Sequence, residues 1–149
     1  MIDLKRTTAA NQDFIQLVAE LDAELAIRDG DDHDFYHQFN GLEDIKHVTV
    51  IYLDEVAVGC GAIKQFNDTC MEVKRMYVKK EHRGMGLAVT ILNALESWAK
   101  ELNYDFCILE TGINQPEALR LYEKTGYKSI ENYGQYAGVS TSHCFQKKL

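Results

Sequence analysis

Met71–Asn103 reads MEVKRMYVKKEHRGMGLAVTILNALESWAKELN and divides into three pieces with different physics. Met71–Val78 is an apolar and β-branched run broken by charges, which suits a strand. Lys79–Met85 is charged and carries Gly84, with Gly86 just after it, which suits a loop. Beyond it, Leu87, Ala88, Ile91, Leu92, Leu95, Trp98, Ala99 and Leu102 recur at spacings of three and four and make one broad apolar helical face. The order is therefore strand, basic glycine loop, helix.

A helix N-terminus leaves its first backbone N–H groups without intrahelical partners and carries partial positive charge. Glycines at its entrance let a phosphate come close to those groups. Arg83 stands at this entrance, with Lys79, Lys80 and His82 just before it. Two readings follow: a site for a phosphorylated ligand, or a plain strand–helix connection whose glycines make the turn. The basic approach and the immediate helix favour the anion site. No G-x-x-x-x-G-K-S/T phosphate loop is present, and Val89 stands where a dinucleotide fingerprint needs a small residue.

What the loop does match is the pattern Arg/Gln-x-x-Gly-x-Gly/Ala, as Arg83-Gly84-Met85-Gly86-Leu87-Ala88. With Glu72–Val78 before it and the helix behind it, the stretch resembles the coenzyme A loop of the GNAT superfamily of acyl-CoA-dependent N-acyltransferases. Asn114-Gln115-Pro116-Glu117-Ala118-Leu119-Arg120-Leu121-Tyr122-Glu123-Lys124-Thr125-Gly126-Tyr127 is similar to a later segment of that superfamily. The likeness runs from Val48 to Tyr127. It implies an α/β fold of mixed α+β type: a twisted mixed sheet flanked by helices, splayed between its fourth and fifth strands to admit acyl-CoA.

The 149 residues suit one domain with a real core, and 46% hydrophobic against 26% charged residues is the balance of a soluble globular protein. No apolar run reaches the length of a membrane span, and MIDLKRTT lacks the apolar core of a signal peptide. Cys60, Cys70, Cys107 and Cys144 are scattered and read as buried thiols in a reducing cytoplasm. His33 and His37 share an i, i+4 spacing without a third ligand, so no metal is expected. The net charge of −7 argues against nucleic acid as a general partner. Lys74, Arg75, Lys79, Lys80, His82 and Arg83 run against that background and point to a small anion.

In chain order, Ile2–Thr8 reads as a strand. Asn11 or Thr8 caps a helix whose apolar stripe is Phe14, Ile15, Val18, Leu21 and Leu25. Gly30 ends it, inside an acidic turn of Asp29, Asp31, Asp32 and Asp34, and a short helix is expected at Phe35–Phe39. Val48–Leu53 and Val56–Ile63 form a hairpin through Asp54-Glu55, with Gly59 and Gly61 marking a bulge or a close backbone approach. Phe106–Glu110 is the next strand. Pro116 opens a helix that Gly126 ends, and Lys128–Glu131 and Thr141–Lys147 close the sheet.

The resemblance also implies roles. Backbone N–H groups of Arg83, Gly84, Met85, Gly86, Leu87 and Ala88 would bind the pyrophosphate of acetyl-CoA, the cosubstrate. The strand edge at Met76, Tyr77 and Val78 would pair with the pantetheine arm, and Asn114 would touch it. Tyr122 is the candidate general acid for the leaving thiolate, against an alternative as a core tyrosine. Glu72 is the candidate general base, against an alternative as an ion-pair partner of Lys74. The expected function is an acetyl-CoA-dependent N-acetyltransferase for a small amine, cationic if the acidic turn steers it. A non-catalytic acyl-CoA-binding module and a protein or peptide N-acetyltransferase stay open, as does a homodimer; neither nucleic acid nor membrane is expected as a partner.

Overall fold

A computed structural model describes residues 1–30 and 45–149. The expected helix at Phe35–Phe39, the His33/His37 pair and Asp31, Asp32 and Asp34 lie outside the described residues. Strand β1 (Ile2–Thr7) leads to helix α1 (Gln12–Asp29), followed by β2 (His47–Leu53), β3 (Val56–Gln65) and β4 (Cys70–Val78). The glycine loop then enters α2 (Leu87–Glu101), and β5 (Phe106–Gly112), α3 (Pro116–Lys124), β6 (Lys128–Ile130) and β7 (Ser142–Lys148) complete the chain.

Among the described residues, seven strands form one sheet in the order β1-β2-β3-β4-β5-β7-β6. Every neighbouring pair is antiparallel except β4 and β5. That parallel pair is short: Cys70, Met71 and Glu72 stand opposite Phe106, Cys107 and Ile108, and the pairing goes no further. Beyond it the two strands part, which is the splay expected between the fourth and fifth strands.

Each face of the sheet carries a core. On one, α2 lays Ile91, Leu92, Leu95 and Ala99 against Ile51, Ile63, Val73 and Phe145, with α3 alongside. On the other, α1 lays Phe14, Leu17 and Val18 against Val48, Val50, Cys60 and Ala62. The stripe on α1 differs from expectation at two positions: Leu17 is buried and Ile15 is 40% exposed. Asn11 is the cap of α1, its side chain accepting from Phe14 N–H at 2.9 Å.

Local backbone choices set the geometry near the splay. Asp54 and Glu55 both take positive φ, 49° and 73°, as a two-residue hairpin turn demands. Ala62 faces Lys74 and Cys60 faces Tyr77, so Arg75 and Met76 together oppose Gly61. This is a bulge, with Arg75 at φ 60°. It shifts the alternation of β4, so that Met76 packs with the α2-side cluster while Glu72 faces the other way, contrary to a strict period of two. Gly59 and Gly61 permit the close approach: a Cβ on Gly59 would lie 2.9 Å from Tyr77 O, and one on Gly61 2.6 Å from Met76 Sδ. The Schellman end of α3 bonds Tyr127 N–H to Tyr122 O at 3.0 Å, with Gly126 at φ 98°.

Candidate active site

The splay holds two cavities. The larger, about 390 Å³, runs beside the glycine loop and is lined by Met76, Tyr77, Val78, His82, Arg83, Gly84, Gly86, Leu87, Ala88 and Val89 on one side, and by Gln115, Ala118, Leu121 and Tyr122 on the other. Gly84 and Gly86 take φ of 84° and 79°, and nothing lies within 4 Å of where a Cβ would stand on either. Gly86 is the N-cap of α2 and offers no side-chain acceptor. The first amides of α2 thus open into a space that only glycine keeps clear, which fits a phosphate group.

The smaller cavity, about 120 Å³, is lined by Leu21, Leu25 and Asp29 of α1, by Glu72 to Met76 of β4, by Glu110 to Gly112 of β5, and by Gln115, Ala118, Tyr122 and Tyr136. Tyr122 therefore stands in the wall common to both cavities. It is buried and packs against Tyr127 and Phe145 with ring centroids 5.6 and 5.9 Å away. Burial, with the Glu110 charge nearby, raises its hydroxyl above the usual phenolic range, so the protonated form is held at neutral pH.

The two glutamates of this cavity differ. Glu72 accepts the Tyr133 hydroxyl at 2.6 Å and lies 3.7 Å from Lys74 Nζ. Glu110 Oε2 is buried with no hydrogen-bond partner among the described residues. Burial pushes the Glu110 carboxyl up to about 7, with a Ser142 hydrogen bond opposing and the charges of Asp29 and Glu72 adding to the rise. Arg75, almost fully buried, is paired with Asp22 of α1.

The basic cluster turns out to dock α1. Besides Arg75–Asp22, Lys79 lies 3.5 Å from Glu20, and Arg83 gives both Nη groups to Glu24 at 2.9 Å while its Nε donates to Val78 O at 2.9 Å. Tyr77, whose hydroxyl is pushed up to about 12 by burial and by Glu20 and Glu24, donates to Glu20 at 3.3 Å. Much of the charge that the sequence assigned to a small anion is thus already matched within the fold. What remains for an anion is the amide cradle, with His82 beside it.

A sequence profile of the acetyltransferase (GNAT) family matches residues 14–127. The chain belongs to the GNAT acetyltransferase family. It is an acyltransferase by class. It is 29% identical to an IAA acetyltransferase of Azospirillum brasilense over 157 aligned positions, covering 99% of this chain and 98% of that protein. It is 33% identical to the uncharacterized N-acetyltransferase YsnE of Bacillus subtilis, covering 73% of this chain and 76% of that one. A Schizosaccharomyces pombe N-acetyltransferase is 36% identical over 78 residues, and there the match spans about half of each chain, 52% and 48%. Among crystal structures, a Klebsiella pneumoniae protein classed as an acyl-CoA N-acyltransferase superposes with TM-score 0.84 at 29% identity, covering 100% and 98% of the two chains. A GNAT acetyltransferase from Elizabethkingia anophelis, solved with acetyl-CoA bound, superposes with TM-score 0.73 at 16% identity, covering 99% and 98%.

Within this GNAT frame, the sequence-derived residues Met76, Tyr77, Val78, Arg83, Gly84, Gly86, Leu87 and Ala88 all line the larger cavity. Two do not. Met85 is 55% exposed, and Asn114 sits on the surface with its amide 3.5 Å from Arg28 O. Gln115, one residue on, lines both cavities and was missed. Glu110 was missed as well, being read only as the polar end of an apolar strand. Among the described residues no group of three or more His, Cys, Asp and Glu side chains is arranged to hold a metal, and no helix is long and apolar enough to cross a membrane.

Proposed function

We propose that this GNAT protein is an acetyl-CoA-dependent N-acetyltransferase that acylates a small amine. The observation that carries the reading is the position of Tyr122 between a phosphate-cradling groove and a polar cavity. Support for the cosubstrate comes from the Elizabethkingia structure with acetyl-CoA and a Thermoplasma acidophilum PaiA N-acetyltransferase with coenzyme A, which share the fold. Bound in the groove, acetyl-CoA would supply the acyl group as a thioester whose C–S bond breaks as the new C–N bond forms. The amides of Gly84 to Ala88 hold the pyrophosphate, and the open edge of β4 at Met76–Val78 aligns the arm. Tyr122 donates its proton to the departing thiolate.

The amine must lose a proton, and the cavity offers two carboxylates to take it. Glu72 is occupied by Tyr133 and Lys74, whereas Glu110 has a free oxygen and titrates near neutrality. Glu110 is therefore our preferred base, with Glu72 anchoring the loop that carries Tyr133. A cavity of about 120 Å³ favours a small acceptor over a peptide. Asp29, Glu72 and, once ionised, Glu110 line its walls, and these carboxylates suit an amine better than an acidic acceptor.

Thiol release from acetyl-CoA against a panel of mono- and polyamines tests the activity. Tyr122→Phe should lower kcat roughly 10²-fold with little change in the KM for acetyl-CoA. Tight coenzyme binding with no thiol release for any amine would leave an acyl-CoA-binding module instead, and an unchanged kcat in Tyr122→Phe would return Tyr122 to the core.

A further inference from the structure

Four charged side chains that line the larger cavity come from three separate parts of the chain and alternate in sign: Arg83 of the glycine loop, Glu24 and Arg28 of α1, and Glu117 of α3. Arg83 meets both oxygens of Glu24 at 2.9 Å. Arg28 lies 3.9 Å from Glu24 and gives its own fork to Glu117 at 2.7 and 3.1 Å. That contact is strong enough to hold the Glu117 carboxyl down at about 2, first through the Arg28 hydrogen bond. The row runs from the β4 side of the splay to the helix that follows β5, and so joins the two sides where the sheet does not.

An arginine fork binds a carboxylate and a phosphate through the same two-pronged geometry. Glu24 presents such a carboxylate to Arg83 beside the uncapped amides of α2. We propose that Glu24 is a resident anion at the phosphate end of the groove, which the cosubstrate must displace from Arg83, and that Glu24 thereby sets the affinity for the cosubstrate. The inference rests on the groove being the coenzyme A site. Two anions on one guanidinium repel, so the phosphate gains Arg83 only as Glu24 leaves it. Leaving it removes one of the two ion pairs that hold the end of α1, Arg28–Glu117 being the other, and so loosens the turn around Leu25 and Asp29 that forms a wall of the smaller cavity. Occupancy of one cavity then alters the other.

Titrating coenzyme A and pantetheine, which lacks the nucleotide and its phosphates, into the native protein and Glu24→Gln tests this. Glu24→Gln should bind coenzyme A about twofold to fivefold more tightly, the range expected when a partly exposed ion pair no longer competes, with pantetheine affinity unchanged. Unchanged or weaker coenzyme A binding in the variant overturns the proposal. So does an equal gain for both probes, which would mean that Glu24 obstructs the groove rather than competing for Arg83. Failure of the native protein to bind either probe would remove the groove reading itself, and this inference with it. Hydrogen exchange on the native protein needs no variant: on adding coenzyme A, amides of residues 24–29 should exchange faster while those of α2 slow. Slowing in both segments overturns the proposal.

Discussion

Glu72 and Glu110 line one cavity from neighbouring strands, and their surroundings set them apart. The raised titration of Glu110, about 7, has a stability consequence whose sign is opposite to that of a salt-bridged carboxylate. Between the ordinary carboxylate range and pH 7 the folded protein keeps a proton that the unfolded chain has released, so stability falls as pH rises through that window. The penalty at pH 8 is about 3 kcal/mol from the size of the shift. Glu110→Gln should therefore be more stable than the native protein at pH 8 and no more stable near pH 4.5, as denaturant unfolding at the two pH values will read. If Glu110 is the base, kcat/KM of the native enzyme rises with pH to a plateau above about 7, and the variant loses roughly 10²-fold or more with a flat profile. A profile that keeps its rise in Glu110→Gln moves the base elsewhere, and Glu72→Gln is then the variant to examine. Nothing in the sequence marked Glu110: its character comes from burial behind Tyr122 and Ser142, contacts that only the folded sheet brings about. Glu72 was singled out by the resemblance alone, and its partner Tyr133, 61 residues away, was not legible.

The glycine loop and α2 form the element that was most legible, because turn chemistry and helical periodicity are both local. Gly86 has positive φ and open space around it, so Gly86→Val strains the backbone by roughly 1–2 kcal/mol without a clash. The apo fold should survive while coenzyme A binding is lost; retained affinity in calorimetry would reduce the loop to a connection. Gly59 behaves in the opposite way. Its φ is unremarkable, but an alanine methyl would press on Tyr77 O at 2.9 Å and on Ile51 and Ile91 at 3.1 Å. Gly59→Ala should cost about 1–3 kcal/mol of unfolding free energy, since the nearest obstacle is backbone. An equal or higher denaturation midpoint would mean that β4 gives way easily at Tyr77. The two glycines of β3 were legible as points of close approach. They also marked a bulge, and the ladder does break opposite Gly61; that the extra residue falls on β4, with Arg75 at positive φ, was not legible, because it is a matter of register between strands.

At the scale of the whole molecule, the run from β2 to β5 followed from element spacing together with the resemblance, whereas the insertion of β7 between β5 and β6 and the ion-pair docking of α1 did not. Its acids at Glu20, Asp22 and Glu24 meet cations more than fifty residues away, and a sequence read locally assigns each group to solvent or to a ligand. If the cavity takes the cosubstrate, coenzyme A at a hundredfold excess over Kd should stabilise the fold by about 2.7 kcal/mol. For a domain of this size that is a rise in Tm of roughly 5–10 °C. A rise with NAD or ATP but not with coenzyme A would reassign the groove.

The three residue pairs joining β4 to β5 have a mechanical meaning as well. A sheet transmits force between strands through its ladder, and here the ladder between β1–β4 and β5–β7 is shorter than at most of the other seams. If thermal motion opens the sheet, the short seam at Cys70–Glu72 is where the two plates should pivot. A ligand arm laid along β4, as proposed, would supply rungs that the seam lacks and so act as a brace that stiffens the pivot. The spread of the plates, followed by a pair of distance labels on β3 and β7, should then narrow in width on ligand binding more than it shifts in mean.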